Sequence, residues 1–219
     1  YGGSRVFVVY GGGSAVKSGL LARLESQLTG AGLAFKAMGG VQPNPRLSLA
    51  REGVRQAIAF GADFLLGVGG GSVIDTAKAI AHGTANPETD IWEFWSGRQV
   101  LKKTLPVGAV LTIAAAGSET SNSSVLTNEE TGKKCGTNTD LNRPAFAVMN
   151  PELTYTLPKY QIACGIADIL MHTLERYFTQ VEGNDFTDRV AEALLKNVIF
   201  HGPRALANRK DYAAMSELM

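Results

Sequence analysis

The 219-residue sequence predicts an α/β fold with a parallel sheet, followed by the first part of an all-helical region. Three observations lead to this prediction. Short apolar runs alternate with helical segments up to about residue 110, two of these runs end in GGGS, and no strand-like run follows Pro158. Parallel strands need long crossover connections, so this alternation is typical of a parallel sheet covered by helices.

The elements can be justified in chain order. Apolar, β-branched-rich runs predict strands at residues 5–10, 34–38 and 63–68. Helical periodicity predicts intervening helices over residues 14–29, 46–60 and 72–82. Further along, short strands with polar loops are predicted in LPVGAVLTI, SSVLTNEETGKKCG and PAFAVMN.

The chain changes character after NPELTYTLP. From there only helical periodicity remains, in YQIACGIADILMHTLERYF and DFTDRVAEALLKNVIF. We therefore predict two domains, an α/β domain over residues 1–157 and a helical domain over residues 158–219. Because the sequence stops at Met219 within a helical pattern, we expect the second domain to be truncated.

Composition excludes several classes of partner. Lys plus Arg number 21 and Asp plus Glu number 20, so no basic surface is expected for nucleic acid or an anionic membrane. No window reaches the roughly 18 apolar residues of a membrane span, and the N-terminus lacks the pattern of a secretory signal. A cytoplasmic location is expected. Cys135 and Cys164 have no metal or disulfide spacing and are interpreted as reduced thiols.

The stretch FLLGVGGGSVIDTAKAIA passes from a strand through three glycines into a helix. Glycines let the backbone approach a phosphate, and the first helical N–H groups then face the anion. The candidate phosphate-binding residues are Gly69, Gly70, Gly71 and Ser72. The alternative is a tight turn without a ligand. An earlier run offers a weaker candidate of the same kind, formed by Gly11, Gly12, Gly13 and Ser14.

The first glycine run bears on the choice of dinucleotide. A ribose 2′-hydroxyl usually meets an acidic residue near a strand end, whereas a 2′-phosphate prefers N–H groups, hydroxyls and cations. No acid follows the strand VFVVY, only GGGSAVK. If this loop faces the adenosine ribose, NADP(H) is favoured over NAD(H). The alternative is that the loop does not face the ribose.

Asp168 and His172 are one helical turn apart in GIADILMHTLERY, so both side chains leave the same helix face. They could converge on one metal ion, although a solvated Asp–His contact has the same spacing. The neighbouring residues 166–171 are mostly apolar, which predicts a largely buried helix in which both groups need a partner. His82 is predicted to close the helix over residues 72–82, and His201 to lie at a helix end.

Taken together, several motifs resemble the iron-containing (group III) alcohol dehydrogenase family, nearest to its butanol dehydrogenase and NADP-dependent aldehyde reductase branch. They are YGGGS, PNP, GVGGGSVIDTAKAIA, GSE, TYTLP and GIADILMHTLERY. The resemblance implies an N-terminal dinucleotide-binding domain and a helical domain, with Fe²⁺ or Zn²⁺ in the cleft between them. It also implies an oxidoreductase that transfers hydride between NADP(H), or NAD(H), and a small primary alcohol or aldehyde.

The resemblance assigns roles by position. Asp168 and His172 would be two of four metal ligands. Gly69 to Ser72 would hold the pyrophosphate with Asp75 near the nicotinamide, and Gly11 to Ser14 would lie by the ribose and its 2′-phosphate. Asn44 would lie near the adenine, and Thr112 and Lys134 would contact the cofactor further along. A homodimer is expected from the resemblance alone.

Two departures qualify these expectations. Ala116 stands before GSE where the family usually has Thr, so one hydroxyl contact is in doubt. The remaining two ligand histidines would lie downstream of Met219, so we expect the N-terminal part of such an enzyme. Alternatives are a relative acting on a diol or glycerol, a nucleotide-binding module without catalysis, and, less well supported, a flavodoxin-like FMN binder.

Overall fold

A five-stranded sheet organises the first part of the chain, in a computed structural model that describes residues 1–219. Its strands are β1 (Arg5–Gly11), β2 (Ala34–Val41), β3 (Phe64–Gly69), β4 (Val107–Leu111) and β7 (Phe146–Val148). The order across the sheet is β2-β1-β3-β4-β7. Strand β1 pairs in parallel with both β2 and β3, and β4 pairs in parallel with β7. The predicted parallel α/β fold is confirmed.

The polar segment after β4 forms a separate hairpin. Strands β5 (Ser123–Asn128) and β6 (Lys133–Asn138) pair antiparallel, as the predicted short strands of this region suggested. The hairpin is attached to the loop after β2, since the Thr127 N–H donates to the Pro45 carbonyl over 2.8 Å.

Eight α-helices and two short 3₁₀ helices complete the chain. The α-helices are α1 (Ser14–Lys17), α2 (Leu20–Gly30), α3 (Leu47–Phe60), α4 (Gly71–Ala85), α5 (Trp92–Trp95), α6 (Lys159–Tyr177), α7 (Asp185–Ala207) and α8 (Tyr212–Leu218). The 3₁₀ helices span Asp140–Asn142 and Pro151–Thr154.

Helix boundaries differ from the prediction at two places. The single helix predicted over residues 14–29 is wrong, because Gly19 adopts a left-handed conformation with φ of 76° and separates α1 from α2. The one-turn helix α5 was not predicted, because its sequence WEFW is too short to show a period; its aromatic side chains lie in the core.

Helix α4 is the central helix of the α/β unit. Every residue from Val73 to Gly83 is buried, because the helix packs against β1, β3, α3 and β5. Ile74 and Ile80 are completely buried, and each such aliphatic side chain contributes about 1.5–3 kcal/mol through its removal from water. The turn that begins α4 is therefore held by a rigid element.

The chain forms two compact units. One comprises residues 1–110 and 118–148, and the other comprises residues 111–117 and 149–219. The second unit contains α6, α7 and α8 around a core that includes Ile162, Val198 and Met215. The domain boundary at residues 157/158 stays a prediction. No helix combines the length and apolarity needed to cross a membrane.

Candidate functional site

Both glycine runs lie at the carboxyl ends of neighbouring strands. Gly11 ends β1 and Gly69 ends β3, and the two strands pair in register with Tyr10 opposite Val68. Strand β1 lies between β2 and β3, so the later strands are added on both sides of β1 and the strand order reverses there. This is the point where an open parallel sheet binds ligands, just outside the strand ends.

The second glycine run opens helix α4. Gly70 is the N-cap of α4, and no side chain caps this helix end. A Cβ on Gly69 would lie 2.6 Å from Val73 Cγ2, so packing alone requires glycine there. A Cβ on Gly71 would meet only Ser118 Cβ at an ordinary 3.7 Å. Packing therefore does not explain Gly71, whereas close approach of a phosphate to the backbone would.

The end of β2 adds a feature that the sequence analysis missed. Val41 pairs with Gly11, so the end of β2 lies beside the first glycine run. A cavity of about 330 Å³ at this end is lined by Gly40, Gln42, Arg46, Ser48, Leu49 and Glu52. The acid that would hold a 2′-hydroxyl is expected at the end of the second strand, and GGVQ stands at the end of β2 instead. The sequence carried a signal for this segment, because it directly follows the second predicted strand, residues 34–38.

Asn44 and Lys134 are brought together by the structure. Asn44 has a φ of 59°, the one positive value among the non-glycine residues, and it lies between two prolines. Lys134 Nζ donates to Asn44 Oδ1 over 2.8 Å, which joins the loop after β2 to strand β6. Strained backbone that is held by a distant side chain is frequent at ligand sites. Contact of either residue with a cofactor stays a prediction.

Asp75 belongs to a buried network on α4. Its carboxylate accepts hydrogen bonds from the Ser118 hydroxyl and, over 3.0 Å, from the Val125 N–H. Burial raises the pKa of this carboxyl, although those hydrogen bonds and Lys78 oppose the shift. The structure thus identifies an internal structural role for Asp75, and its predicted place near the nicotinamide is not tested.

Lys78, which the sequence analysis did not single out, is completely buried in the same network. Its ammonium donates to oxygens of Ser118, Ser121 and Ser123 and lies 3.9 Å from an Asp75 carboxylate oxygen. Burial lowers the pKa of Lys78 to about 8, while Asp75 and Glu119 act in the opposite direction. Its partners are about 40 residues away in sequence, so no local pattern reveals this cluster.

His82 lies in the last turn of α4, which ends at Ala85 rather than at residue 82 as predicted. The imidazole is buried, with Nδ1 2.7 Å from Thr104 Oγ1 and Nε2 2.7 Å from Asn142 Oδ1. Burial lowers its pKa to about 4, so the ring is neutral at pH 7. His82 is a structural residue.

The predicted metal pair lies on α6. Asp168 Oδ1 and His172 Nε2 are 3.7 Å apart, and their side chains are 44% and 42% exposed. The predicted burial of this helix is therefore wrong. Only Ile162, Gly165 and Thr173 are buried, because α6 turns one face to α7 and leaves the other, with Met171, exposed. A uniformly apolar segment does not indicate which face is covered.

The donor atoms of this pair fit iron, since one carboxylate oxygen and one imidazole nitrogen are ligands that Fe²⁺ takes in proteins. No group of three or more His, Cys, Asp or Glu side chains that could hold a metal ion is present. The pair fits two positions of a larger ligand set, and its role as metal ligands stays a prediction.

His201 and Thr112 complete the residues singled out from the sequence. His201 lies within α7 rather than at its end, because the helix continues through Pro203 to Ala207. Thr112 directly follows β4 and lies in the second compact unit, where it stays a predicted cofactor contact. Cys135 and Cys164 are both free thiols, as expected.

Comparison with known proteins gives consistent matches. The chain is 41% identical over 217 residues to the NADH-dependent butanol dehydrogenase A of Clostridium acetobutylicum, covering 99% of this chain and 56% of that protein. It is 37% identical over 218 residues to an NADPH-dependent aldehyde reductase of Escherichia coli, with coverage of 99% and 56%. The chain thus spans just over half the length of these relatives.

Solved structures and a family model agree with these matches. The crystal structure of NADH-dependent butanol dehydrogenase A from Thermotoga maritima matches with a TM-score of 0.93 and 36% identity, over 99% of this chain and 54% of that one. The family model described as iron-containing alcohol dehydrogenase matches residues 1–151. The chain therefore belongs to the iron-containing alcohol dehydrogenase family.

Proposed function

We propose that the protein is a metal-dependent NAD(P) alcohol dehydrogenase or aldehyde reductase, which transfers hydride between NADP(H) and a small primary alcohol or aldehyde. The observation that carries this proposal is the position of the two glycine runs at the ends of β1 and β3. Family membership supports the reaction class. Relatives named as butanol dehydrogenases and aldehyde reductases support the substrate class.

The residues of this chain have definable tasks in such a reaction. The Gly69–Ser72 turn offers backbone N–H groups and the positive end of the α4 dipole to the pyrophosphate. The buried helix behind the turn keeps these donors in place, so the dinucleotide is oriented rather than merely held. Asp168 and His172 would hold the metal. When bound, the metal supplies a Lewis acid for the substrate oxygen.

We propose iron rather than zinc as this metal, because the family description names iron and the donor atoms suit it. The specific alcohol, the homodimer and the cytoplasmic location stay predictions. A relative acting on a diol or glycerol stays the alternative, because the glycine turns bear on the dinucleotide and not on the substrate.

We further propose that NADP(H) is preferred over NAD(H). Neither β1 nor β2 is directly followed by an acid that would bind a 2′-hydroxyl. Arg46 lines the cavity at the end of β2, and Glu52, which also lines it, has its carboxylate hydrogen-bonded to Arg55 and Gln56. Relatives of both cofactor types match this chain, so their names do not decide the question.

Calorimetric titration of the protein with NADPH and with NADH tests both proposals. We expect NADPH to bind at least tenfold more tightly, a difference of about 1.4 kcal/mol. Gln42→Asp should weaken NADPH binding about tenfold and change NADH binding little, because its carboxylate would face the 2′-phosphate. Gln42→Asn is the matched control and should behave like the unchanged protein.

The outcomes separate the two proposals. Equal affinities would overturn the cofactor preference and leave the dehydrogenase proposal intact. Absence of heat with both dinucleotides, from protein that circular dichroism shows to be folded, would overturn the assignment of the glycine turns.

A further inference from the structure

Lys78 occupies an unusual environment for a lysine. Its side chain is 0% exposed, and its ammonium donates to the Ser118 carbonyl over 2.7 Å and to the Ser123 carbonyl over 2.8 Å. Longer hydrogen bonds of 3.2 Å and 3.3 Å reach the Ser118 hydroxyl and the Ser121 carbonyl. The Lys78 ammonium on α4 therefore hydrogen-bonds to three residues of one short segment, Ser118–Ser123, which leads into β5.

Stability alone does not account for this arrangement. A buried ammonium loses its hydration and is tolerated only when hydrogen bonds replace it. An apolar side chain of similar length would avoid the cost of burying the charge, but it would leave the Ser118, Ser121 and Ser123 oxygens without this donor. The geometry that the lysine imposes on the Ser118–Ser123 segment is therefore the feature to explain.

That segment lies against the candidate phosphate turn. A Cβ on Gly71 would be 3.7 Å from Ser118 Cβ, so Ser118 is the neighbour of the turn on this side. Ser118 is held by three hydrogen bonds, because its carbonyl and hydroxyl oxygens accept from Lys78 and its hydroxyl donates to Asp75. Helix α4 thus presents its N-terminus at the candidate phosphate site, and its Lys78 side chain holds the neighbouring Ser118–Ser123 segment.

We propose that Lys78 is a positioning residue for dinucleotide binding. It holds the Ser118–Ser123 segment against the Gly69–Ser72 turn, so that the backbone N–H groups of the turn and this segment keep one geometry. Lys78 does not touch the cofactor, and it acts through Ser118. This inference rests on the proposed function, since it concerns the same nucleotide site.

The positioning should depend on pH. The charged groups around the ammonium are Asp75 on its own helix, Glu119 in the segment that it holds, and Arg143, whose charge also lowers the pKa of Lys78. With a pKa of about 8, the ammonium loses one of its three donor hydrogens as the pH rises through that value. The oxygens of the segment then have fewer donors, and nucleotide affinity should fall.

The experiment compares NADPH dissociation constants for the unchanged full-length protein, Lys78→Met and His82→Leu. His82→Leu is the matched control, because it also replaces a buried basic side chain of α4 with an apolar one, and its ring bonds to Thr104 and Asn142 rather than to Ser118. We expect Lys78→Met to weaken NADPH at least tenfold at a temperature where circular dichroism shows it folded. We expect His82→Leu to lower thermal stability and to weaken NADPH much less than Lys78→Met does, because His82 reaches the segment only indirectly, through Asn142 and the Asn122 carbonyl.

A second measurement, the pH dependence of NADPH binding by the unchanged protein, does not depend on folding of Lys78→Met. Between pH 7 and 9.5 the dissociation constant of the unchanged protein should rise several-fold with a midpoint near pH 8, and in Lys78→Met that dependence should be absent. A flat profile in the unchanged protein, or equal NADPH affinity in Lys78→Met, would overturn the inference while the proposed function stands. Failure of the unchanged protein to bind NADPH at pH 7 would overturn both.

Discussion

Two buried basic residues on one helix show how neighbouring atoms decide the charge state of a side chain. Burial lowers the pKa of Lys78 from 10.5 to about 8, and the charges of Asp75 and Glu119 oppose this shift. His82, one turn further along α4, is hydrogen-bonded to the neutral Thr104 and Asn142 side chains, and burial, with the charge of Lys78, lowers its pKa to about 4. The ammonium is charged at pH 7 and the imidazole is not.

The neutral His82 predicts an acid-sensitive contribution to stability. Its pKa is about 4 in the folded chain against 6.5 for an ordinary histidine, so between these values only the unfolded chain takes up the proton. The contribution is complete above pH 6.5 and is lost as the pH falls towards 4, by about 3 kcal/mol in all. We expect His82→Gln to remove this dependence.

Urea unfolding of both proteins at several pH values measures the effect. The raised pKa values of Asp75 and Glu119 shift stability in the opposite direction, but both residues remain in His82→Gln and cancel in the difference. A constant difference in unfolding free energy from pH 7 to pH 4.5 would contradict a neutral His82.

At the scale of elements, a glycine determines how helix α6 packs. A Cβ on Gly165 would overlap the carbonyl oxygen of Ala114, so α6 lies directly on the backbone that follows β4. Gly202 on α7 differs, because a Cβ there would meet only Ile166 side-chain atoms at 3.3 Å and beyond. Both glycines lie in the second compact unit, and only Gly165 faces rigid backbone.

The contrast predicts opposite effects for the same substitution. Gly165→Ala should lower the free energy of unfolding by about 1–3 kcal/mol, because α6 must move away from the Ala114 carbonyl. Gly202→Ala, the matched control, should be neutral or stabilising by up to about 1 kcal/mol, because alanine favours the helix and the Ile166 side chain can adjust. Urea midpoints of the two variants measure this, and equal effects would contradict the packing argument.

The elements also show which features a sequence can predict. Strands β1 and β3 and helix α4 were predicted because a buried run is a local property, and the GGGS turns follow from the same runs. The break at Gly19 depends on one left-handed residue, and the exposure of Asp168 depends on which face of an apolar helix meets α7. The Lys78 cluster joins residues 40–45 positions apart, so it required the fold.

At the scale of the whole molecule, the candidate chemistry is divided between two compact units. The glycine turns and the Lys78 cluster lie in one unit, whereas Asp168 and His172 lie in the other. The ion-pair partners of these two side chains are each other and Glu175, all within the second unit. Dinucleotide binding and metal binding should therefore be separable by mutation.

Asp168→Asn in the full-length protein tests this separation. The amide keeps the shape of the side chain but removes the negative charge that attracts a divalent cation, so bound iron and turnover should fall at least 100-fold. The dissociation constant for NADPH should change less than twofold, because no glycine-turn residue is affected. Metal analysis, steady-state kinetics and calorimetry on one preparation measure all three quantities.

Glu175→Gln, which alters an exposed carboxylate 3.9 Å from His172, is the control and should keep iron and turnover. Full iron content in Asp168→Asn would remove Asp168 from the ligand set, and joint loss of NADPH binding would show that the two sites are coupled through the fold.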